Sequence, residues 1–277
     1  MSRQYYYLVS GLYDLVPDEE KQSVFIEPFL DFLTEELHPE DLGYLNLFLL
    51  ANDNRNLMNI LEERKGFITP SNYTRDVIED AVRNPSGLPD YLQTFLEAHK
   101  AEEAIVQGMA WEDQLTMLYY AYALGQENRF VTGWMQFERD LRNVLAALNC
   151  RRYKLPMQNY LIGNLDEKDF VVEQMMRSTS ADFGLSREYP WVEQVVTFFD
   201  RNVLIELEKE VDQIRWDMID DMNTFNYFST EKVLGYFLKL LITERWFKLI
   251  PEEGETMFNT LVGKLKDSFA IDETILS

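Results

Sequence analysis

The sequence is poor in the residue types that most often carry chemistry. Its 277 residues hold one cysteine, Cys150, and two histidines, His38 and His99. A single thiol excludes an internal disulfide framework and fits a reducing compartment, so a cytoplasmic location is expected. One Cys and two His also fall short of the usual zinc ligand sets. Arg151 and Arg152 stand next to Cys150 and would lower its pKa, although a lone Cys in an apolar helical pattern reads more simply as packing. The glycines are scattered. No Gly-x-Gly-x-x-Gly occurs, and Gly263-Lys264 has Phe258 where a phosphate-cradling loop needs glycine, so no nucleotide cofactor is expected. Basic residues are scarce, 26 against 48 acidic, and the net charge is -22. Such a surface repels nucleic acid and anionic lipid. It suits a basic protein partner, and solubility alone would also explain it. No uninterrupted apolar run reaches the roughly 18–20 residues of a membrane span. The opening twenty residues have only a short apolar run and no small-residue cleavage site, which predicts no secretory signal.

Apolar residues make up 46% and aromatics 14%, enough for a real core and against intrinsic disorder. Their spacing is helical almost throughout. Tyr5–Val9 is β-prone but isolated, and reads as a helix start or an edge extension. Helices are predicted over about 24–37, 41–64 (with Gly66 as its C-cap), a short stretch after Thr74, Pro89 to Gln107, Trp111–Leu124, and a long helix ending before Leu155-Pro156. Residues 156–189 are looser, with a short helix near 166–177. Pro190 then opens what reads as one continuous helix to Met222, followed by helices over 231–250 and from Pro251 through Met257, Leu261 and Phe269. The expected fold is all-α. It reads as a single protein of three helical units, approximately 1–85, 86–165 and 166–277, without a linker-joined domain.

That division rests on a repeated polar pattern inside apolar helices. Glu138-Arg139-Asp140-Leu141-Arg142-Asn143 has a counterpart in Asn54-Arg55-Asn56-Leu57-Met58-Asn59, and a fainter one begins at Glu244-Arg245. The copies start 84 and then 106 residues apart (54, 138, 244). Internal repetition dictates architecture, and this wide, uneven spacing excludes a tight solenoid. Glu138 and Arg142 are four apart, the favourable orientation for an ion pair along a helix. The reading adopted is that the charged groups of each copy are buried where helices cross. There they must be paired or hydrogen-bonded. The alternative is a set of exposed pairs contributing ~0.3–0.5 kcal/mol each.

Tests for catalysis give little. Glu35-x-x-His38 is half of a di-iron helical motif, but His99 has Leu96 three residues before it, so the second half is missing. Neither histidine adjoins a nucleophile elbow. Acidic clusters such as Asp217, Asp220 and Asp221 leave a carboxylate-dependent metalloenzyme on a helical scaffold as an alternative, and a free-standing acidic adaptor as another.

The same residues carry a resemblance. Glu138–Arg151, and Leu207-Glu208, Asp212, Tyr236, Lys239, Glu244 and Arg245, are similar to signatures of the rotor-cap subunit family of V/A-type ATPases. More narrowly, Tyr5-Tyr6-Tyr7-Leu8-Val9-Ser10-Gly11-Leu12 resembles an uncharacterised family of the Bacteroidetes encoded beside V-type ATPase genes. Asn46–Leu61 is similar to the family's first-unit motif. The resemblance implies three pseudo-symmetric helical units forming a funnel on the cytoplasmic face of the membrane rotor ring. It implies a non-catalytic role in ATP-driven ion or proton transport, as a peripheral subunit without metal, nucleotide or small-molecule substrate. The expected partners are the central-stalk and membrane-ring subunits.

Overall fold

A computed structural model describes residues 3–15, 25–163 and 169–249. The described residues form eleven α-helices and no strand; Gln4 and Ser229 make one isolated antiparallel bridge. The fold is all-α. No described helix is long and apolar enough to cross a membrane. The helix expected from Pro251 onward lies outside the described residues.

Contacts divide the chain into two compact units, Pro39–Arg215 and a second made of Met1–His38 with Trp216–Ser277. The first holds α3 (Pro39–Leu61), α4 (Arg75–Arg83), α5 (Asp90–Ala101), α6 (Trp111–Leu124), α7 (Arg129–Tyr153), α8 (Phe170–Arg177) and α9 (Trp191–Arg201). The start of α10 (Leu204–Met222) also belongs to it. Pro39 opens α3, where its missing N–H costs nothing, and Glu40 and Asp41 sit in the first turn, where the helix dipole favours acid. Thr74, Asn128 and Asp169 cap α4, α7 and α8 by accepting backbone N–H bonds. Helix α6 packs on α5, α7 and α3, while α7 also packs on α8 and α9. Leu45, Leu57, Phe95, Leu115, Leu141 and Val144 are fully buried between them.

The second unit holds α1 (Tyr6–Ser10), α2 (Ile26–Glu36), the remainder of α10 and α11 (Thr230–Leu249). Ile26, Phe29 and Leu33 of α2 are buried, as are Val233, Leu234 and Phe237 of α11, and the two helices pack together. The N-terminal segment is tied to the turn before α11: Tyr5 N–H donates to the Phe228 carbonyl at 2.5 Å, and Thr230 N–H to that of Arg3 at 3.2 Å.

Three helix ends differ from their expected places, each for a backbone reason. The helix predicted over 190–222 is two, because Asn202 turns left-handed (φ 58) after Arg201. Asn is one of the few residues that tolerates this region, and the apolar stripe continues across the break, so periodicity hides it. Helix α3 stops at Leu61 with Glu63 (φ 55), rather than Gly66, making the reversal. Helix α5 stops at Ala101 because Glu102 is left-handed (φ 56).

Gly235 of α11 marks a close approach to α10. A Cβ there would stand 2.2 Å from Asn223 Nδ2 and 3.0 Å from Ile219 Cγ2. Overpacking of this kind costs ~1–3 kcal/mol. Gly235→Ala is therefore expected to lower the melting temperature; an unchanged or raised value in calorimetry would show that the helices separate without cost.

Candidate functional site

Of the polar groups expected at helix crossings, Asn54, Arg139 and Asn143 are buried, and the largest buried polar set lies along α3 and α7. Asn56 is fully buried, and its amide clasps one loop residue: Nδ2 donates to the Ile68 carbonyl at 2.9 Å, and Oδ1 accepts the Ile68 N–H at 2.7 Å. Asn143 does the same to Ile162, at 2.7 and 2.8 Å. Each amide thus replaces both partners that a backbone residue would find in a ladder, which lets a loop run against a core helix without orphaned groups.

A carboxylate stands three residues before each clasp. Asp53 is 1% exposed and accepts the N–H groups of Asn72 (3.3 Å) and Tyr73 (3.2 Å) together with Asn72 Nδ2 (2.7 Å). Asp140 accepts from Gln136 Nε2 at 2.9 Å. Burial pushes both carboxyls above the usual aspartate range, against the hydrogen bonds that pull them down. Asn52 also donates to the Pro70 carbonyl at 2.8 Å, so the 68–73 loop is pinned along its length.

Helix α7 also carries ion pairs. Arg139, 3% exposed, contacts Asp169 at 2.6 Å, and Asp169 caps α8 with its other oxygen. Glu138 does not pair with Arg142 along the helix, as its spacing suggested. It takes a bidentate contact from Arg215 of α10, at 2.6 and 3.1 Å, and Arg215 also reaches Asp212 at 2.9 Å. Burial alone would lower the Arg215 pKa; the Glu138 and Asp212 carboxylates raise it above its ordinary value. Arg142 turns to Asp113 of α6 and to the Tyr160 carbonyl at 3.1 Å. The i,i+4 expectation failed because two other helices offer carboxylate or guanidinium partners in better geometry than the same helix can.

The structure also changes the register of the repeat. The matching pairs are Asp53 with Asp140, Arg55 with Arg142 and Asn56 with Asn143, each 87 residues apart (53 to 140, 56 to 143), not 84. The shared pattern is Asp-x-Arg-Asn on a long helix, then the clasped loop, then a capped short helix. Of the residues singled out from sequence, Asn54 is buried and accepts from the Tyr91 hydroxyl at 2.8 Å. Arg55 is exposed and Asn59 half-buried, so neither plays the part of Arg139 or Asn143. Glu244 and Arg245 lie on α11 in the other unit, where the Arg245 guanidinium is 5.8 Å from the Trp246 ring. Lys239 pairs with Asp220 at 2.6 Å and lies over Trp216. Asp53, Asn56, Asp113, Asp169 and Arg215 were missed; the first two were legible only in the 87-residue register.

No chemistry suggests itself in this constellation. Among the described residues no three His, Cys, Asp or Glu side chains are grouped to hold a metal ion, Glu35, His38 and Asp217, Asp220 and Asp221 included. Cys150 is buried, which pushes its thiol up. Arg151 and Arg152 turn away to backbone carbonyls at Ser178 and Phe199. What the site can do is hold loops and helices in one geometry.

Over residues 1–269 the chain matches the model of a family described as protein of unknown function (DUF2764). The chain belongs to that family. No curated protein and no solved structure matches it.

Two outcomes test the site. Asn56→Ala strands two part-buried backbone groups and Asn143→Ala two buried ones, so each should cost ~1–3 kcal/mol in denaturant unfolding. Arg55→Ala and Asn59→Ala should stay within ~0.5 kcal/mol; equal losses at all four would contradict the 87-residue register. Asp53, Asp113 and Asp140 all have raised carboxyl pKa values from burial. The native state then binds protons more readily than the unfolded chain, so stability rises as pH falls from neutral toward the ordinary aspartate value near ~4. The unfolding midpoint at pH 5 should exceed that at pH 7 even in high salt, which screens surface repulsion; a lower midpoint would reverse the sign.

Proposed function

We propose that this chain is a non-catalytic coupling subunit of a V/A-type rotary ATPase, joining the central stalk to the membrane rotor ring during ATP-driven ion transport. The observation that supports the reading best is the Asp-x-Arg-Asn pattern on two long helices, each followed by an Asn-clasped loop and a capped short helix. It coincides with the stretches, Asn46–Leu61 and Glu138–Arg151, that resemble the first and middle signatures of the rotor-cap family. In the third stretch of resemblance, Lys239 is engaged with Asp220 and Trp216. The reading carries with it three pseudo-repeated units arranged as a funnel, a cytoplasmic position against the inner membrane, and stalk and ring subunits as partners.

A body that transmits torque must resist deformation. The buried pair Arg139–Asp169 serves this because breaking it leaves an uncompensated buried charge, a loss of ~3–5 kcal/mol, and the half-buried, bidentate Glu138–Arg215 pair adds to it. Exposed aromatics fit assembly into a larger complex: Tyr7 is 86% and Phe225 87% exposed, with Tyr6, Tyr13 and Tyr227 also open. The net charge of -22 suits a basic stalk end.

A tagged chain recovered from native membranes should bring catalytic, stalk and ring subunits with it. Binding to the stalk subunit should weaken as salt rises, and Tyr7→Ser with Phe225→Ser should reduce recovery without lowering the melting temperature. Recovery of the chain without any ATPase subunit would overturn the proposal.

A further inference from the structure

Helices α3 and α7 each end beside the short helix that follows, and the two grooves so formed differ in what fills them. Beside α7 and α8 the chain fills the groove itself with Ser178–Gly184. The Arg151 guanidinium donates to the Ser178 carbonyl at 2.6 Å and to that of Ser180, and lies 3.8 Å from the centre of the Phe183 ring. Gln174 of α8 donates to the Phe183 carbonyl at 3.1 Å, and Phe183 is fully buried. Asp182 accepts the Gly184 N–H at 2.9 Å and the Ser180 hydroxyl, folding the segment into a turn.

Beside α3 and α4 no described residues supply such a segment. Only the six residues 84–89 join α4 to α5, against the thirteen residues 178–190 that join α8 to α9. The shorter connection leaves an open groove of about 390 Å³, lined by Glu63, Arg64, Arg75, Glu79, Val82 and Arg83 among others. Its lining repeats the filled one. Arg64 precedes Arg151 by the same 87 residues that separate the two clasping asparagines, and Glu79 follows the Thr74 cap by five residues as Gln174 follows Asp169. Helix α3 ends earlier than α7, at the left-handed Glu63, and Arg64 follows that cap while still lining the groove.

We propose that the α3–α4 groove receives a turn from a partner protein that carries an aromatic ring and a carboxylate, the chemistry that Ser178–Gly184 brings to the α7–α8 groove. Three arginines gather there in a chain of net charge -22. Their carboxylate partners are exposed: Glu79 at 3.5 Å from Arg75, Asp80 at 3.6 Å from Arg83, and Glu62 beside Arg64. Arg75 also donates to the Gly66 carbonyl at 2.8 Å. Exposed pairs of this kind are weak, so an incoming carboxylate and backbone carbonyls can replace them, while the ring lies on a guanidinium as Phe183 does. The inference rests on the local match of α3–α4 to α7–α8 and stands or falls separately from the rotary-ATPase reading.

The test uses the full chain and a fluorescent peptide of residues 178–185, read by anisotropy. Saturable binding up to about millimolar peptide is expected. Arg64→Ala, and alanine in place of phenylalanine in the peptide, should each weaken it roughly tenfold, the loss of one charge-assisted contact. The melting temperature of the variant should stay unchanged, since Arg64 is exposed. Absence of saturable binding, or binding indifferent to Arg64→Ala and Arg75→Ala, would overturn the proposal. So would binding of inorganic phosphate with the peptide inert, which would make the groove a simple anion site.

Discussion

A primary amide held against one backbone residue is the interaction on which the rest of this fold depends. Asn56 and Asn143 each satisfy both polar groups of an isoleucine in the loop that follows. Without that clasp the loop would have to bury bare N–H and C=O groups or leave the helix face and expose apolar surface. Neither is tolerable in a core, where unpaired polar groups are heavily penalised. The aspartate one turn earlier extends the same logic, and in the first copy it holds Asn72 and Tyr73 of the same loop as well. Each long helix therefore fixes where the following short helix begins, and that start is capped by Thr74 or Asp169.

The second copy is the more heavily tied. Arg139, Arg142 and Arg215 connect α7 to α8, α6 and α10 through carboxylates that are themselves buried or half-buried. Such pairs contribute little net stability over an apolar replacement, yet they are costly to break. The consequence is specificity of geometry rather than strength. A protein whose task is to keep a shape under load would use these contacts, and a solubilising adaptor would have no need of them.

Much of the architecture was legible in the sequence because apolar spacing and capping residues are local signals. Thr74 and the Trp111–Leu124 stripe fell where capping and periodicity placed them. The break at Asn202 did not, since an apolar stripe can continue across a single left-handed residue. The burial of Arg139 and Asn143 was foreseeable from charge inside an apolar run. Their partners were not, because Asp113, Asp169 and Arg215 are brought in by tertiary packing and carry no local mark. The repeat was visible yet placed three residues out of register. Arg-x-Leu-type matches are common on any amphipathic helix, whereas the decisive pairing of Asp with Asn three residues later becomes evident only once both amides are seen gripping a loop.

Amide hydrogen exchange at Ile68 and Ile162 tests this account most directly, because both N–H groups lie in loops and would ordinarily exchange at local-opening rates. If the asparagine clasps anchor the fold, these two amides should be protected to the level of the buried turns of α3 and α7. Exchange as fast as that of neighbouring loop residues would mean that the clasps open freely and that the helices, not the amides, hold the loops in place.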